Sequence, residues 1–181
     1  MFTLDSFFCE PMTAAALPGD FPSRQFWKEL AERRERHGTP CFDEVVTGIG
    51  HTASWSAAFD LPSVPDIVTT AKGLGSGYAA LGAVVCHRRI LEAIVEGSRR
   101  FTLGHTRDGA PVNCAVGLAA LDVLRWQALI SRVAEKGESL KLMLARALSN
   151  VALVGEVRGR GLLIGVAYVD PTDRRSFRCG S

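Results

Sequence analysis

The sequence predicts an α/β fold on three observations. Short apolar runs at residues 40–46, 67–70 and 83–86 have the length of strands and are separated by turns and helix-patterned segments. Residues 22–36 and 111–150 repeat apolar side chains at helical spacing. Acids and a lysine fall at the ends of the first two apolar runs, the place where ligands bind in open sheets of this class. Short apolar strands of this kind imply a sheet buried on both faces.

Residues 22–36 place Phe26, Trp27, Leu30 and Ala31 on one helical face, with Gly38 as the stop. Residues 40–46 read as a strand with Asp43 and Glu44 near its carboxyl end, 67–70 as a second and 83–86 as a third. Cys41 and Cys86 lie inside such runs and read as small buried hydrophobes. Val112, Val116, Leu118, Leu121, Leu124 and Leu129 form one apolar stripe. Leu140, Met143, Leu144, Ala147 and Leu148 form another, with Gly137 the expected kink or break between two helices. Residues 154–169 mix Gly155, Gly159, Gly161 and Gly165 with apolar residues and predict a bend followed by a strand. Residues 170–181 turn polar and basic and are expected to be a poorly ordered tail.

Composition narrows the function classes. The chain has 181 residues, 47% of them hydrophobic, enough for a core. A net charge of +2 gives no electrostatic case for nucleic acid or an anionic membrane. Apolar runs fall far short of the roughly 18 residues of a membrane span, and the N-terminus lacks the pattern of a secretory signal. Five cysteines without C-x-x-C spacing argue against a disulfide framework or a zinc site. The four histidines are dispersed, so no metal is expected. A cytoplasmic location fits best.

The chemistry concentrates in Thr69-Thr70-Ala71-Lys72-Gly73-Leu74-Gly75-Ser76-Gly77. An amine at a strand end, backed by apolar residues, loses hydration, which disfavours its charged form. Such a lysine can attack a carbonyl and form a Schiff base. Taken alone, a surface lysine in a glycine-rich turn is the commoner case. A Walker A loop is excluded because Lys72 precedes the glycines, and a dinucleotide fingerprint because Tyr78 stands where a third glycine is required. The glycines are read as allowing a tight turn beside the lysine.

The ordered segments Asp43-Glu44-Val45, Pro65-Asp66-Ile67-Val68, Ala71-Lys72-Gly73-Leu74-Gly75 and Leu81-Gly82-Ala83-Val84 resemble the class III pyridoxal-phosphate-dependent aminotransferases. The likeness runs from about Phe7 to Val169. It implies part of the large domain of a fold-type I transferase, a mostly parallel sheet with flanking helices, plus the start of the small C-terminal domain. The corresponding boundaries are 1–150 for the partial cofactor-binding domain with its long connecting helix, 151–169 for the start of the small domain, and 170–181 for the tail.

By that resemblance the cofactor is pyridoxal 5'-phosphate and Lys72 is the Schiff-base and proton-transfer residue. Asp43 partners the pyridine nitrogen, keeping it protonated so that the ring is an electron sink. Val45, on the same strand face as Asp43, packs on the ring, whereas Glu44 points the other way and is structural. Thr106, in Gly104-His105-Thr106, reaches the phosphate across a dimer interface. The partners implied are an amino donor, a 2-oxo acid acceptor and a second subunit.

The chain departs from the family pattern at His51, where arginine is usual, and at Arg107, Asp108 and Ala110 in place of tyrosine, serine and histidine. Full members are more than twice as long. The segments without a counterpart include the Gly/Ser turn that holds the phosphate and the aromatic residue that stacks on the ring. The expected reaction moves an amino group from an amine or ω-amino acid to a 2-oxo acid. A truncated non-catalytic remnant or interaction module, and a pyridoxal-phosphate-dependent aminomutase or racemase, are the alternatives. Alone, the chain is expected to show little or no transaminase activity.

Overall fold

The computed structural model describes residues 6–15, 17–37, 39–104 and 106–175. Strands β1 (Ser6–Cys9), β2 (Thr39–Asp43), β3 (Ile67–Thr70) and β4 (Ala83–Cys86) form a sheet in the order β1-β2-β3-β4. The first three are parallel, and β4 runs antiparallel along the edge beside β3. Helix α1 (Arg24–His37) joins β1 to β2, and α2 (Arg88–Glu96) follows β4. This is the expected α/β class with a mostly parallel sheet and flanking helices.

Helix α1 begins where Ser23 Oγ accepts the Phe26 amide at 3.1 Å, a side-chain cap on an otherwise unpaired donor. Its apolar face lays Trp27 against Phe42 of β2, ring centroids 5.2 Å apart and planes at 62°. Edge-on aromatic packing adds to plain area burial. Trp27, Phe42 and Ala58 are the centre of the core, with Cys9, Leu30 and Leu61 around them.

Burial is uneven. All four residues of β4 are exposed, Val84 at 67%. The expectation of a sheet covered on both faces therefore fails at this edge, and Cys86 is exposed rather than buried. Edge position is the reason: among the described residues no helix covers β4 as α1 covers β2.

Strand β2 stops at Asp43, three residues before the expected end. There Asp43 Oδ1 accepts the Val45 amide at 2.9 Å and the Gly48 amide donates to the Glu44 carbonyl at 3.0 Å. Both bonds curl the backbone out of the ladder, the first because a short polar side chain competes for a nearby amide and the second as a backbone turn.

Residues 111–150 contain two helices, α3 (Pro111–Trp126) and α4 (Leu129–Ala147), bent by 67°. The break falls at Gln127–Ala128, where Ala128 takes a left-handed φ of 48°, and not at Gly137. Gly137 lies inside α4 for a different reason: a Cβ there would stand 2.0 Å from the Gly161 carbonyl oxygen. The glycine permits a backbone contact rather than a kink. No single helix among the described residues is long and apolar enough to cross a membrane.

Residues 154–169 form a hairpin, not a bend and one strand. β5 (Val154–Arg160) pairs antiparallel with β6 (Leu163–Tyr168). Gly161, at φ 60°, makes the reversal, a conformation cheap only for glycine. Arg158 Nε donates to the Pro18 carbonyl at 3.2 Å and Arg160 pairs with Asp60, so the hairpin docks on two distant loops. Residues 170–175 form a turn in which the Arg174 amide donates to the Asp170 carbonyl at 2.8 Å. The rest of the expected tail, 176–181, lies outside the described residues.

The start of β3 is held by Asp66, 2% exposed. Arg34 of α1 donates to it through Nε at 3.1 Å and Nη2 at 2.6 Å, and Arg89 of α2 through Nε at 3.2 Å and Nη2 at 2.5 Å. Burial by itself would raise this carboxyl. The hydrogen bonds and charges of Arg89 and Arg34 outweigh it and hold the value at about 2.

Two outcomes follow from these contacts. Gly137→Ala should lower the urea midpoint by the equivalent of about 1–3 kcal/mol, the usual range for a forced overlap, while an alanine at exposed Ser139 should not. Because the folded value of Asp66 is depressed, its stabilisation is complete above the unfolded value near ~3.9 and is lost as pH falls toward about 2. Urea midpoints measured down that range should drop by the equivalent of roughly 2 kcal/mol more in the wild type than in Asp66→Asn.

Candidate functional site

Parallel pairing brings the ends of β2 and β3 together, with Asp43 opposite Thr69. Thr69 Oγ1 donates to Asp43 Oδ1 at 3.3 Å, the oxygen that also accepts the Val45 amide. Asp43 Oδ2 has no hydrogen-bond partner among the described residues. Asp43 and Val45 are both half-buried.

Beyond Thr70 the chain leaves the sheet through Ala71 and enters a short 3-10 turn, Lys72–Leu74. Lys72 has a left-handed φ of 36°, unusual for a residue with a Cβ and costing on the order of 1–3 kcal/mol. The Leu74 amide donates to the Ala71 carbonyl at 2.8 Å and the Gly75 amide to the Lys72 carbonyl at 3.2 Å, which hold that conformation. A Cβ on Gly75 would lie 2.3 Å from the Ala79 carbonyl oxygen, so only glycine fits the next bend. This is the tight turn expected beside the lysine. The Lys72 side chain itself is exposed. The expected loss of hydration therefore does not occur in this chain, because the turn carries the side chain past the apolar strand that was to desolvate it.

Glu44, 1% exposed, organises the loop on the other side. Its carboxylate accepts from Thr47 Oγ1 at 2.7 Å, from the Ala57 amide at 3.0 Å, from the Ala58 amide at 2.9 Å and from Ser56 Oγ. Ser56 also caps the 3-10 turn Ala57–Asp60. The loop so fixed turns back through Ile49, whose Cβ would be 2.9 Å from a Cβ on Gly73. Loop and lysine turn are thus in direct contact.

A cleft of about 830 Å3 opens beside Lys72, lined by Ile49, His51 and Leu81 on one side and by Ile130, Arg132 and Lys136 of α4 on the other. It touches neither Asp43 nor Val45, so it lies to one side of the strand-end pair. His51 Nδ1 is buried without a hydrogen-bond partner among the described residues. Thr106 is exposed, in the turn before α3, and does not line the cleft. Its neighbour His105 lies outside the described residues.

The structure therefore places Asp43, Val45 and Lys72 at two adjacent strand ends, and Thr106 in the exposed turn before α3. Sequence reasoning missed the partners of Glu44. The signal available was weak: a Ser-Ala-Ala-Phe-Asp stretch at residues 56–60 with a cap residue at its head. Among the described residues no group of three or more His, Cys, Asp or Glu could hold a metal ion.

The sequence profile of the family Aminotransferase class-III matches residues 7–178. An uncharacterized aminotransferase of Bacillus subtilis is 38% identical over 167 residues, 90% of this chain and 37% of that protein. An (S)-enantioselective omega-transaminase from Thermomicrobium roseum superposes with a TM-score of 0.86 at 36% identity, over 96% of this chain and 39% of that one. An amine transaminase from an uncultivated Pseudomonas species, solved in a PLP-bound form, superposes with a TM-score of 0.85 at 35% identity, over 93% of this chain and 39% of that one. The chain spans less than two fifths of the length of these relatives.

Glu44→Ala should be severely destabilising, by about 3–5 kcal/mol, because it strands buried donors that have no other acceptor. Chemical denaturation measures it. A loss below about 1 kcal/mol would mean that water reaches those donors.

Proposed function

The chain belongs to the class-III aminotransferase family, and on that premise we propose that it carries the acid–amine pair of a pyridoxal-phosphate-dependent transamination site. The observation that carries the reading is the pairing of Asp43 with Thr69 at the ends of β2 and β3, three residues from Lys72. Class III aminotransferases are pyridoxal phosphate enzymes, so the question is whether the residues present suit that group.

They do, for two of its needs. Asp43 offers an open carboxylate oxygen, Oδ2, held in place through Oδ1 by Val45 and Thr69. A carboxylate so fixed is suited to accept from a protonated ring nitrogen. Lys72 offers an exposed amine on a rigid turn one strand away. When bound, the cofactor supplies a carbonyl carbon for an amine and a conjugated ring that takes up electrons from the substrate carbon.

The protein's own contribution is then one of placement and proton transfer. Lys72 Nζ would hold the cofactor covalently at rest and, once displaced, would carry the proton from the substrate carbon to the cofactor carbon. Asp43 would keep the ring nitrogen protonated, and Val45 would pack on the ring face. Thr106 would donate its hydroxyl to a phosphate oxygen from a second subunit. The reaction moves an amino group from an amine or ω-amino acid to a 2-oxo acid. Residues 1–150 would belong to the cofactor-binding domain and 151–169 to the start of a small C-terminal domain, with 170–181 as a polar tail.

The test is chemical mapping rather than turnover. Borohydride reduction of the chain loaded with pyridoxal phosphate, followed by digestion and mass spectrometry, should place the adduct on Lys72 alone. Asp43→Asn should weaken loading about 10–100-fold, the equivalent of one charge-assisted hydrogen bond. An adduct spread over several lysines, or loading indifferent to Asp43, would overturn the assignment.

A further inference from the structure

The buried carboxylate of Asp66 is claimed twice over. Arg34 and Arg89 each present the Nε and Nη2 edge of a guanidinium to it. Two cations on one anion leave a formal charge of +1. The second edge of each fork is not used in the same way: neither Nη1 has a hydrogen-bond partner among the described residues, and beyond Asp66 only Arg89 Nη2 makes another bond, to Thr39 Oγ1 at 3.4 Å. Arginine carries five donors in a fixed plane, so each retains N–H groups aimed away from the carboxylate.

Both arginines border a pocket. A concavity of about 460 Å3 lies between α1, α2 and the loop at residues 62–64, lined by Ala31, Arg34, Pro62, Val64 and Arg89. Among the described residues the arginines are its only charged walls. Their side chains are 32% and 49% exposed while Asp66 is fully buried, so the negative member of the cluster is hidden and the positive members face the opening. Arg34 and Arg89 are also held in place by Asp66, which lowers the ordering cost that usually weakens surface arginines as ligands.

We propose that this pocket is an anion site for a phosphate group, separate from the strand-end pair. Asp66 precedes the four residues of β3 and Lys72 follows them, and at ~3.3 Å per residue the two sites are on the order of 15 Å apart. Phosphate is favoured over carboxylate by geometry. The two guanidinium groups already share one planar acceptor in Asp66, and a tetrahedral anion has three or four oxygens to meet the donors left on two separate side chains. Pro62 and Val64 provide an apolar rim for the carbon part of a phosphate ester.

The experiment is a calorimetric titration of the whole chain with inorganic phosphate at low ionic strength, with acetate as the carboxylate arm. Saturable one-site binding of phosphate, at least tenfold tighter than acetate, is the expected result. Arg89→Gln should weaken it at least tenfold. Since that change unbalances Asp66 and can unfold the protein, Val64→Glu provides a second route: Val64 is 62% exposed at the rim, so the carboxylate is tolerated by the fold and repels the anion, again by at least tenfold. Lys72→Ala should leave phosphate binding unchanged. Absence of saturable binding, equal binding of acetate, indifference to Val64→Glu, or loss in Lys72→Ala would each overturn the proposal.

Discussion

The site depends on a buried charge. Glu44 is removed from water within a 181-residue chain, and an ionised carboxylate is tolerated there only if its oxygens are fully engaged. Two hydroxyls and two backbone amides meet that demand, and all four come from residues 47–58. The requirement fixes the loop: Ser56 and Ala58 must lie over Glu44, and Ala58 then completes the core beside Trp27 and Phe42. Since Asp43 is its immediate neighbour at the strand end, the same constraint sets the backbone from which Asp43 projects.

Asp66 plays the corresponding part at the opposite end of the sheet. Glu44 satisfies its charge with neutral donors, and Asp66 with two guanidinium groups from two helices. The difference has consequences. A carboxylate held by neutral dipoles locks a loop and presents nothing outward. One held by two cations ties α1 and α2 to β3 and leaves positive charge at the surface. Both lie on or beside the two central strands.

Elsewhere contact replaces charge. Gly137 lets α4 approach the turn of the β5–β6 hairpin to within backbone distance, and Gly165 does the same for the hairpin and the Pro18 carbonyl. Such contacts demand a missing Cβ rather than a favourable side chain, so they specify geometry with little apolar burial. Burial is correspondingly thin at β4, α3 and much of α4, where Val84, Val112, Leu118 and Met143 are each more than 60% exposed. The hydrophobic share of the composition therefore overstates the size of the core.

What the sequence determined by itself was local. β3 and β4 begin and end where their apolar runs do, because a strand of four β-branched or small residues bounded by turn formers has no competing structure. The order of Asp43 and Lys72 at successive strand ends was equally legible, since it needs only strand boundaries and parallel pairing. Tertiary structure decided the rest. Gly137 reads as a helix breaker in one dimension and is a contact point in three, while Ala128, an ordinary helix former, makes the break. The hairpin replaced a single strand because Gly161 reverses the chain against His51, far away in sequence. Lys72 and Cys86 are exposed because coverage depends on which elements lie across the sheet, which periodicity along one segment does not encode. The partners of Glu44 and Asp66 were out of reach for the same reason: a buried charge chooses its partners by distance in space, and the chain brings those partners from 3 to 32 positions away.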